Sequence, residues 1–171
     1  NKAFSHYNPI AVIHLAAYAY VGESVLSPAK YYENNVLGSY VLLEAMRKCK
    51  IDKIVFSSSC ATFGSPEGDL ISENQTQEPS NPYGMTKLIV ERMLHDYESA
   101  YALQHVSLRY FNAAGADPES RIGEAHNPET HLIPLTIDVA LGRSETITIF
   151  GTDYDTADGT CIRDYVHVED L

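Results

Sequence analysis

Short apolar runs alternate with longer amphipathic stretches along this chain. The run at 10–17 is rich in β-branched residues, which is typical of a buried strand, and the short runs at 53–59 and 105–111 are further predicted strands. The stretches at 28–50 and 82–103 repeat apolar side chains every three or four positions, which predicts helices. Strands that alternate with helices indicate βαβ units. We therefore predict an α/β fold built on a parallel sheet.

Glycine, proline and polar residues divide the rest of the chain. They predict loops at 18–27, 64–82 and 112–131, a helix at 132–142, and strands at 145–150 and 164–168. Asn34 and Asn35 interrupt the first long helix, either as solvent-facing amides or, with Gly38 nearby, at a site of close packing. The second long helix can be capped by Ser80 or Asn81.

Composition excludes some classes of protein. A hydrophobic content of 44% with 20% charged residues is typical of a globular domain, and the chain has no apolar run of the ~18 residues that a membrane span needs. The net charge of −11 argues against a nucleic-acid backbone as partner, because such binders carry clustered Lys and Arg. The three cysteines are far apart in sequence, so we expect reduced thiols in a cytoplasmic protein.

A tyrosine and a lysine, Tyr83 and Lys87, lie one turn apart at the start of the second long helix. A neighbouring ammonium lowers the pKa of a phenol, so this pair can form a base for proton transfer near neutral pH. Such a spacing also arises by chance in an ordinary surface pair. Whether this spacing indicates a catalytic pair therefore depends on the surrounding residues.

Small or polar residues collect at the predicted strand ends. The first strand ends at Ala16-Ala17, the second at Ser59 and the third at Phe111-Asn112. In a parallel sheet ligands bind outside the carboxyl ends of the strands. We therefore expect these residues to surround a ligand together with the Tyr–Lys pair.

Longer motifs in the chain carry a family resemblance. Three serines at a strand end, Asn-Pro-Tyr-Gly with a lysine three residues later, and Arg-Tyr-Phe-Asn resemble the extended short-chain dehydrogenase/reductases. Further motifs make the chain similar to the UDP-glucose 4-epimerase family. They are Val21-Gly22-Glu23-Ser24, Tyr31-Tyr32, Asn34-Asn35-Val36, the stretch 151–160, and Arg163-Asp164-Tyr165.

The resemblance implies NAD as cofactor, a UDP-sugar as substrate and a set of site residues. It assigns catalysis to Ser59, Tyr83 and Lys87. The positions implied for NAD binding are Leu15, Ala16, Ala17, Tyr18, Ala19, Asn34, Ser59, Tyr83, Lys87 and Phe111. Those implied for the UDP-sugar are Ser59, Tyr83, Asn112, Leu132, Phe150 and Arg163, with Arg163 on the diphosphate.

The implied reaction interconverts UDP-galactose and UDP-glucose. In the family, the tyrosine removes the proton of the sugar 4-hydroxyl while NAD takes up a hydride from C4, and the hydride returns to the opposite face. The nicotinamide carries the hydride chemistry. The resemblance also implies a homodimer for the full-length protein.

Several positions depart from the family pattern and leave alternatives open. Ala19 stands where the family usually has a lysine that contacts the cofactor, and Thr130-His131 replace a pair of asparagines. The segments 16–20 and 59–62 also resemble UDP-arabinose 4-epimerases, so a UDP-pentose is an alternative substrate. Cys60-Ala61 stand where sugar dehydratases carry an Asp-Glu pair, which argues against water elimination. A non-catalytic nucleotide-binding relative is a further alternative.

The resemblance also sets expectations about extent. The family's glycine-rich turn is absent, and so is most of its substrate domain, so we expect a fragment that is inactive alone. We predict a partial Rossmann-like, doubly wound parallel sheet with the beginning of a smaller substrate-binding domain. Residues 1–112 would be the later portion of the NAD-binding domain. Residues 113–171 would begin the UDP-sugar region, intermixed with the last Rossmann elements.

Seven histidines are scattered along the chain, and none forms a ligand pair at helical spacing. We therefore predict no metal site. His131 is either near the sugar or an ordinary loop residue. Cys60 is interpreted as a small packing residue rather than a nucleophile, because nothing basic is next to it in sequence.

Overall fold

A three-stranded parallel sheet lies at the centre of the first part of the chain. Its strands are β1 (Val12–His14), β2 (Lys53–Ser57) and β3 (Gln104–Leu108), in the order β1-β2-β3. In the register, Ile13 pairs with Val55, and Val55 pairs with Val106. All three strands therefore have their carboxyl ends at the same edge, as predicted for an α/β fold.

The computed structural model describes residues 2–66, 68 and 70–171. The chain divides into two units, the first ending at Tyr110 and the second running from Phe111 to Leu171. The sheet and the two long helical segments belong to the first unit.

The helices of the first unit differ from the prediction in more than one place. They are α1 (Lys2–Tyr7), α2 (Val21–Leu26), α3 (Pro28–Tyr31), a π-helix (Tyr32–Leu37), α4 (Gly38–Cys49), a 3₁₀ turn (Cys60–Thr62) and α5 (Pro82–Tyr101). The loop predicted at 18–27 is wrong, because α2 lies within it. With only six residues, one of them Gly22, this helix has too little sequence pattern to be seen.

The break predicted at Asn34 and Asn35 is a π-helix rather than a loop, and the chain stays helical through it. Asn35 is buried, whereas Asn34 is exposed. The close-packing alternative holds for Asn35, which is 3% exposed, but not at Gly38, where among the described residues a Cβ would meet nothing within 4 Å. The tight contact is made by the asparagine instead.

The core of the first unit lies between the sheet and its two long helices. It is formed by Leu43 and Met46 of α4, Ile54 and Phe56 of β2, Val90 and Leu94 of α5, with Ile51 and Leu103. These apolar positions recur at helical spacing in α4 and α5, and burying them holds both helices in place.

The start of α5 follows the capping prediction. The Asn81 side chain accepts a hydrogen bond from the Gly84 N–H at 2.9 Å, and Pro82 occupies the first turn. The entry of the helix, and with it Tyr83, is therefore fixed by local sequence.

The second unit holds a two-stranded parallel sheet and one helix. These elements are β4 (Asn112–Ala114), β5 (Tyr165–His167) and α6 (Leu132–Ala140). The helix and the last strand were predicted, whereas β4 lies inside the predicted loop 112–131. The strand predicted at 145–150 is wrong. Alternating residues there favour a strand, but no described strand pairs with them, and Phe150 is 97% exposed.

Two further expectations concern the whole chain. None of the three cysteines forms a disulfide. Within the described ranges, no helix has the length and apolarity to cross a membrane.

Candidate active site

Three predicted catalytic side chains meet near the carboxyl edge of the sheet. Ser59 follows β2, and Tyr83 and Lys87 lie in the first turns of α5. Lys87 Nζ donates to the Ser57 carbonyl oxygen at 2.7 Å and lies 5.7 Å from the centroid of the Tyr83 ring. The Ser59 hydroxyl is near enough to the Tyr83 phenol to lower the pKa of that phenol. The structure thus brings together a hydroxyl, a phenol and an ammonium.

Burial raises the pKa of Tyr83, and the nearby Ser59 hydroxyl acts in the opposite direction without reversing the shift. This contradicts the expectation that Lys87 lowers the pKa of Tyr83. The ammonium is directed at the Ser57 carbonyl, and desolvation of the phenolate outweighs its influence. In the chain alone, Tyr83 therefore keeps its proton at neutral pH.

Lys87 is a deeply buried charge, because the residue is only 3% exposed. Burial lowers its pKa to about 8. The Phe56 ring centroid lies 5.0 Å from Nζ, and a cation near an aromatic face is partly compensated for its lost hydration. A buried lysine with a lowered pKa is a typical feature of functional sites.

The short helix α2 supports the turn that carries Tyr83. Ser24, fully buried, accepts a hydrogen bond from the Tyr83 N–H at 3.2 Å. Its hydroxyl in turn donates to the Val21 carbonyl at 2.6 Å. Sequence reasoning missed this role because α2 was not predicted.

Asn35 connects the segment after β1 to the same turn. Its side chain pairs with both backbone groups of Tyr18, at 2.9 and 3.0 Å, and donates to Thr86 Oγ1 at 3.1 Å. Thr86 donates to the Tyr83 carbonyl at 2.7 Å. Asn34, the predicted NAD contact, donates to the Asn35 side chain at 3.0 Å. The buried amide is therefore a support of the site, and the exposed one faces outward.

Gly84 allows α5 to lie directly against the segment that follows Ser59. A Cβ at this position would come within 2.3 Å of the Ala61 carbonyl oxygen and 2.9 Å of its carbon. Both are backbone atoms that cannot rotate away. The glycine therefore sets the approach of the serine segment to the tyrosine turn.

Replacement of Gly84 by Ala is expected to lower the free energy of unfolding by about 1–3 kcal/mol, because it overpacks a backbone contact. Turnover should fall too, since Ser59 is pushed away from Tyr83. Denaturant unfolding and steady-state rates of the intact protein measure both effects.

The matched control is Gly38→Ala, a glycine in a helix with open space around its Cβ position. It should leave activity unchanged and raise stability by up to about 1 kcal/mol. Equal stability of the two variants would contradict the role assigned to Gly84.

A buried ionic network lies behind the serines. Glu91, 2% exposed, accepts hydrogen bonds from Ser58, Gln77 and Arg109, with Arg109 Nη2 at 2.7 Å. Burial acts to raise the pKa of Glu91, but these hydrogen bonds outweigh it and lower the pKa. The network ties α5 to both the end of β2 and the end of β3. Sequence reasoning missed it because its members are far apart along the chain.

The other positions implied for NAD in the first unit follow β1 directly. They are Leu15, Ala16, Ala17, Tyr18 and Ala19. All but Ala17 are exposed, with Leu15 at 68%. An accessible segment with small side chains at the carboxyl edge leaves space for a ligand.

The remaining predicted positions lie in the second unit. Phe111 precedes β4, and Asn112 begins it, with its side chain donating to the Asp164 carbonyl at 2.8 Å. Asn112 therefore contacts the residue that follows Arg163 in the chain. The Arg163 guanidinium donates to the Ile162 carbonyl at 3.1 Å. Leu132 begins α6, and Phe150 lies in a separate segment without regular structure.

The profile of the NAD dependent epimerase/dehydratase family matches residues 1–171. The chain belongs to the NAD dependent epimerase/dehydratase family. A UDP-glucose 4-epimerase of Halalkalibacterium halodurans is 56% identical over 98% of this chain and 50% of its own length. The chain spans about half the length of the curated relatives it matches.

Solved structures of family members share this fold. The UDP-glucose 4-epimerase of Brucella ovis in complex with NAD is 56% identical, with a TM-score of 0.94 over 99% of this chain and 52% of that one. The UDP-glucose-4-epimerase of Stenotrophomonas maltophila, with bound NAD and formylated UDP-arabinopyranose, is 38% identical, with a TM-score of 0.90 over 99% and 51%. The α/β, Rossmann-like sheet predicted from the sequence is confirmed.

Proposed function

We propose that the intact protein containing this chain is a UDP-glucose 4-epimerase that uses NAD. The observation that supports this most directly is the meeting of Ser59, Tyr83 and Lys87 beside the carboxyl ends of parallel strands. A half-buried phenol next to a hydroxyl and an ammonium is suited to moving a proton to and from a sugar hydroxyl. The identity to named epimerases supports the choice of reaction.

The residues of this chain suit a nicotinamide dinucleotide. Lys87 has three N–H donors, and among the described residues its one hydrogen-bond acceptor is the Ser57 carbonyl. The remaining donors suit ribose hydroxyls. We infer that Leu15–Ala19, Asn34 and Phe111 line the rest of the cofactor. When bound, NAD supplies the hydride chemistry at the sugar carbon.

In this mechanism Tyr83 accepts the proton of the sugar 4-hydroxyl and returns it at the end of the cycle. Ser59 hydrogen-bonds to the same oxygen and to the phenol, so it holds both in line. Burial raises the pKa of Tyr83 and so favours the neutral phenol. Positive charge added by the bound cofactor acts in the opposite direction and favours the phenolate. Lys87 holds the ribose and contributes part of that charge.

We infer that the UDP moiety contacts Asn112, Leu132, Phe150 and Arg163. Arg163 is an exposed guanidinium, and its planar fork matches two oxygens of a diphosphate. We infer that residues 1–112 mainly hold the cofactor and that residues 113–171 begin the UDP-sugar region.

The test is conversion of UDP-galactose by the intact protein. The expected product is UDP-glucose, formed without net consumption of NAD. Bound NAD with no conversion of any UDP-sugar would instead indicate a non-catalytic nucleotide-binding protein and overturn the proposal.

A UDP-pentose 4-epimerase is the second candidate. It is favoured by the segments 16–20 and 59–62 and by the solved relative with an arabinopyranose ligand. Side-by-side rates separate the candidates. We expect kcat/KM to be higher for UDP-galactose than for UDP-arabinose, and the reverse order would assign the enzyme to pentoses.

Two properties of the intact protein complete the proposal. A cytoplasmic location is supported by three cysteines without a disulfide, which is typical of reducing compartments. A homodimer is supported by Leu37 and Val41, one turn apart and each more than half exposed, as an apolar strip for a second copy. Light scattering of the intact protein tests the dimer.

A further inference from the structure

Two histidines and two glutamates converge on the loop that precedes α6. They are Glu124, His126, Glu129 and His131, and one donor atom from each lies within 4.8 Å of all the others. His126 Nδ1 is 2.7 Å from Glu124 Oε1. His131 Nδ1 is 3.0 Å from the same oxygen and 2.8 Å from Glu129 Oε1. Both rings therefore direct the same nitrogen into a common space.

We propose that these four side chains form a zinc-binding site. Two imidazoles and two carboxylates make up a donor set that Zn²⁺ accepts, in its preferred number of four. With zinc–ligand distances of about 2.0–2.2 Å, tetrahedral donors lie about 3.3–3.5 Å apart. The three nitrogen–oxygen separations, at 2.7, 3.0 and 2.8 Å, are shorter than this range, and all donor atoms lie within 4.8 Å of one another, so side-chain shifts of about 1 Å make room for the ion.

Local hydrogen bonds hold part of this cluster in place. Glu129 Oε1 accepts from the N–H groups of Thr130 and His131 at 2.7 and 2.8 Å. These contacts fix one carboxylate before any ion arrives and orient the backbone that carries one of the imidazoles. Preordering of this kind reduces the entropy lost on binding. The partial exposure of the four side chains leaves a path for the ion.

The sequence prediction of no metal site considered only pairs at helical spacing. Here the ligands are spaced by two, three and two residues, and the fold of a loop brings them together. Spacing along a helix is therefore not informative for this cluster.

A second group of three possible ligands, His95, Glu98 and His105, is a weaker candidate. His105 would bind an ion through Nε2, which faces Glu98 at 3.5 Å. Its Nδ1 is buried without a hydrogen-bond partner among the described residues. A metal-binding imidazole normally donates its other N–H to an acceptor, and this ring has none. This group supplies a matched control.

The test is competition for Zn²⁺ between a chromophoric chelator and the intact protein, without an affinity tag and stripped of metal, at neutral pH. One Zn²⁺ should bind per chain, and Mg²⁺ in excess should not displace it. His126→Gln with His131→Gln should weaken binding by about a hundredfold or more. Glu124→Gln with Glu129→Gln should weaken it too, while His95→Gln with His105→Gln leaves it unchanged.

Four results would overturn the proposal. They are no saturable binding by the unmodified protein, equal binding by all variants, loss of binding in the control variant, and displacement of Zn²⁺ by Mg²⁺. The last would indicate a site made by carboxylates alone.

Discussion

Replacement of Tyr83 by Phe is expected to lower the proposed turnover of UDP-galactose by about 10²–10⁴-fold in the intact protein, while the UDP-sugar still binds. In the proposed mechanism the phenol oxygen accepts and returns the sugar proton. Phenylalanine keeps the ring and its packing, so the fold and the pocket should persist. Steady-state rates and calorimetric titration of the UDP-sugar measure the two effects separately.

The matched control is Tyr101→Phe, a mostly exposed phenol at the far end of the same helix. It should leave both turnover and binding unchanged. Near-normal activity of Tyr83→Phe would remove Tyr83 from the mechanism. Loss of binding together with activity would indicate a structural role instead.

The second large effect concerns Glu91. Glu91→Gln should lower the free energy of unfolding by about 3 kcal/mol, because it leaves the largely buried Arg109 guanidinium without its carboxylate. The amide also cannot accept from Ser58, Gln77 and Arg109 with the same strength. Denaturant unfolding of the intact protein measures the loss.

Glu98→Gln is the control, since this carboxylate is exposed on the same helix and its partners lie at 3.5 and 3.7 Å. A surface pair of this kind contributes at most about 1 kcal/mol. If the two variants unfold at the same denaturant concentration, the buried network is not a major source of stability.

Local patterns were enough to predict the sheet and its long helices. The apolar runs of β1, β2 and β3 and the amphipathic faces of α4 and α5 carry their own signal, and Asn81 marks the start of α5. Short elements were not predictable in this way. β4 has only three residues, Asn-Ala-Ala, and exists because β5 pairs with it more than fifty residues later.

The candidate site likewise has residues that could be predicted from sequence and residues that could not. The side chains proposed as catalytic, Ser59, Tyr83 and Lys87, stand out in sequence because the proposed chemistry requires their residue types. The residues that hold these side chains in place do not stand out in sequence. Glu91 and Asn35 look like ordinary polar residues until the fold buries each among partners from distant segments. The direction of the Tyr83 pKa shift could not be predicted from sequence either, because it depends on burial rather than on spacing.

The π-helix Tyr32–Leu37 sets the rotational phase of everything that follows it in the first long helical segment. A π turn takes one residue more than an α turn, and one residue corresponds to about 100° of rotation in an α-helix. If the extra residue were removed, the face of α4 that carries Leu43 and Met46 would turn away from the sheet. The same wide turn buries Asn35 against Tyr18 and Thr86. The extra residue of the π-helix thus has two effects. It turns Leu43 and Met46 of α4 toward the core, and it places Asn35 where it supports the turn of α5 that carries Tyr83.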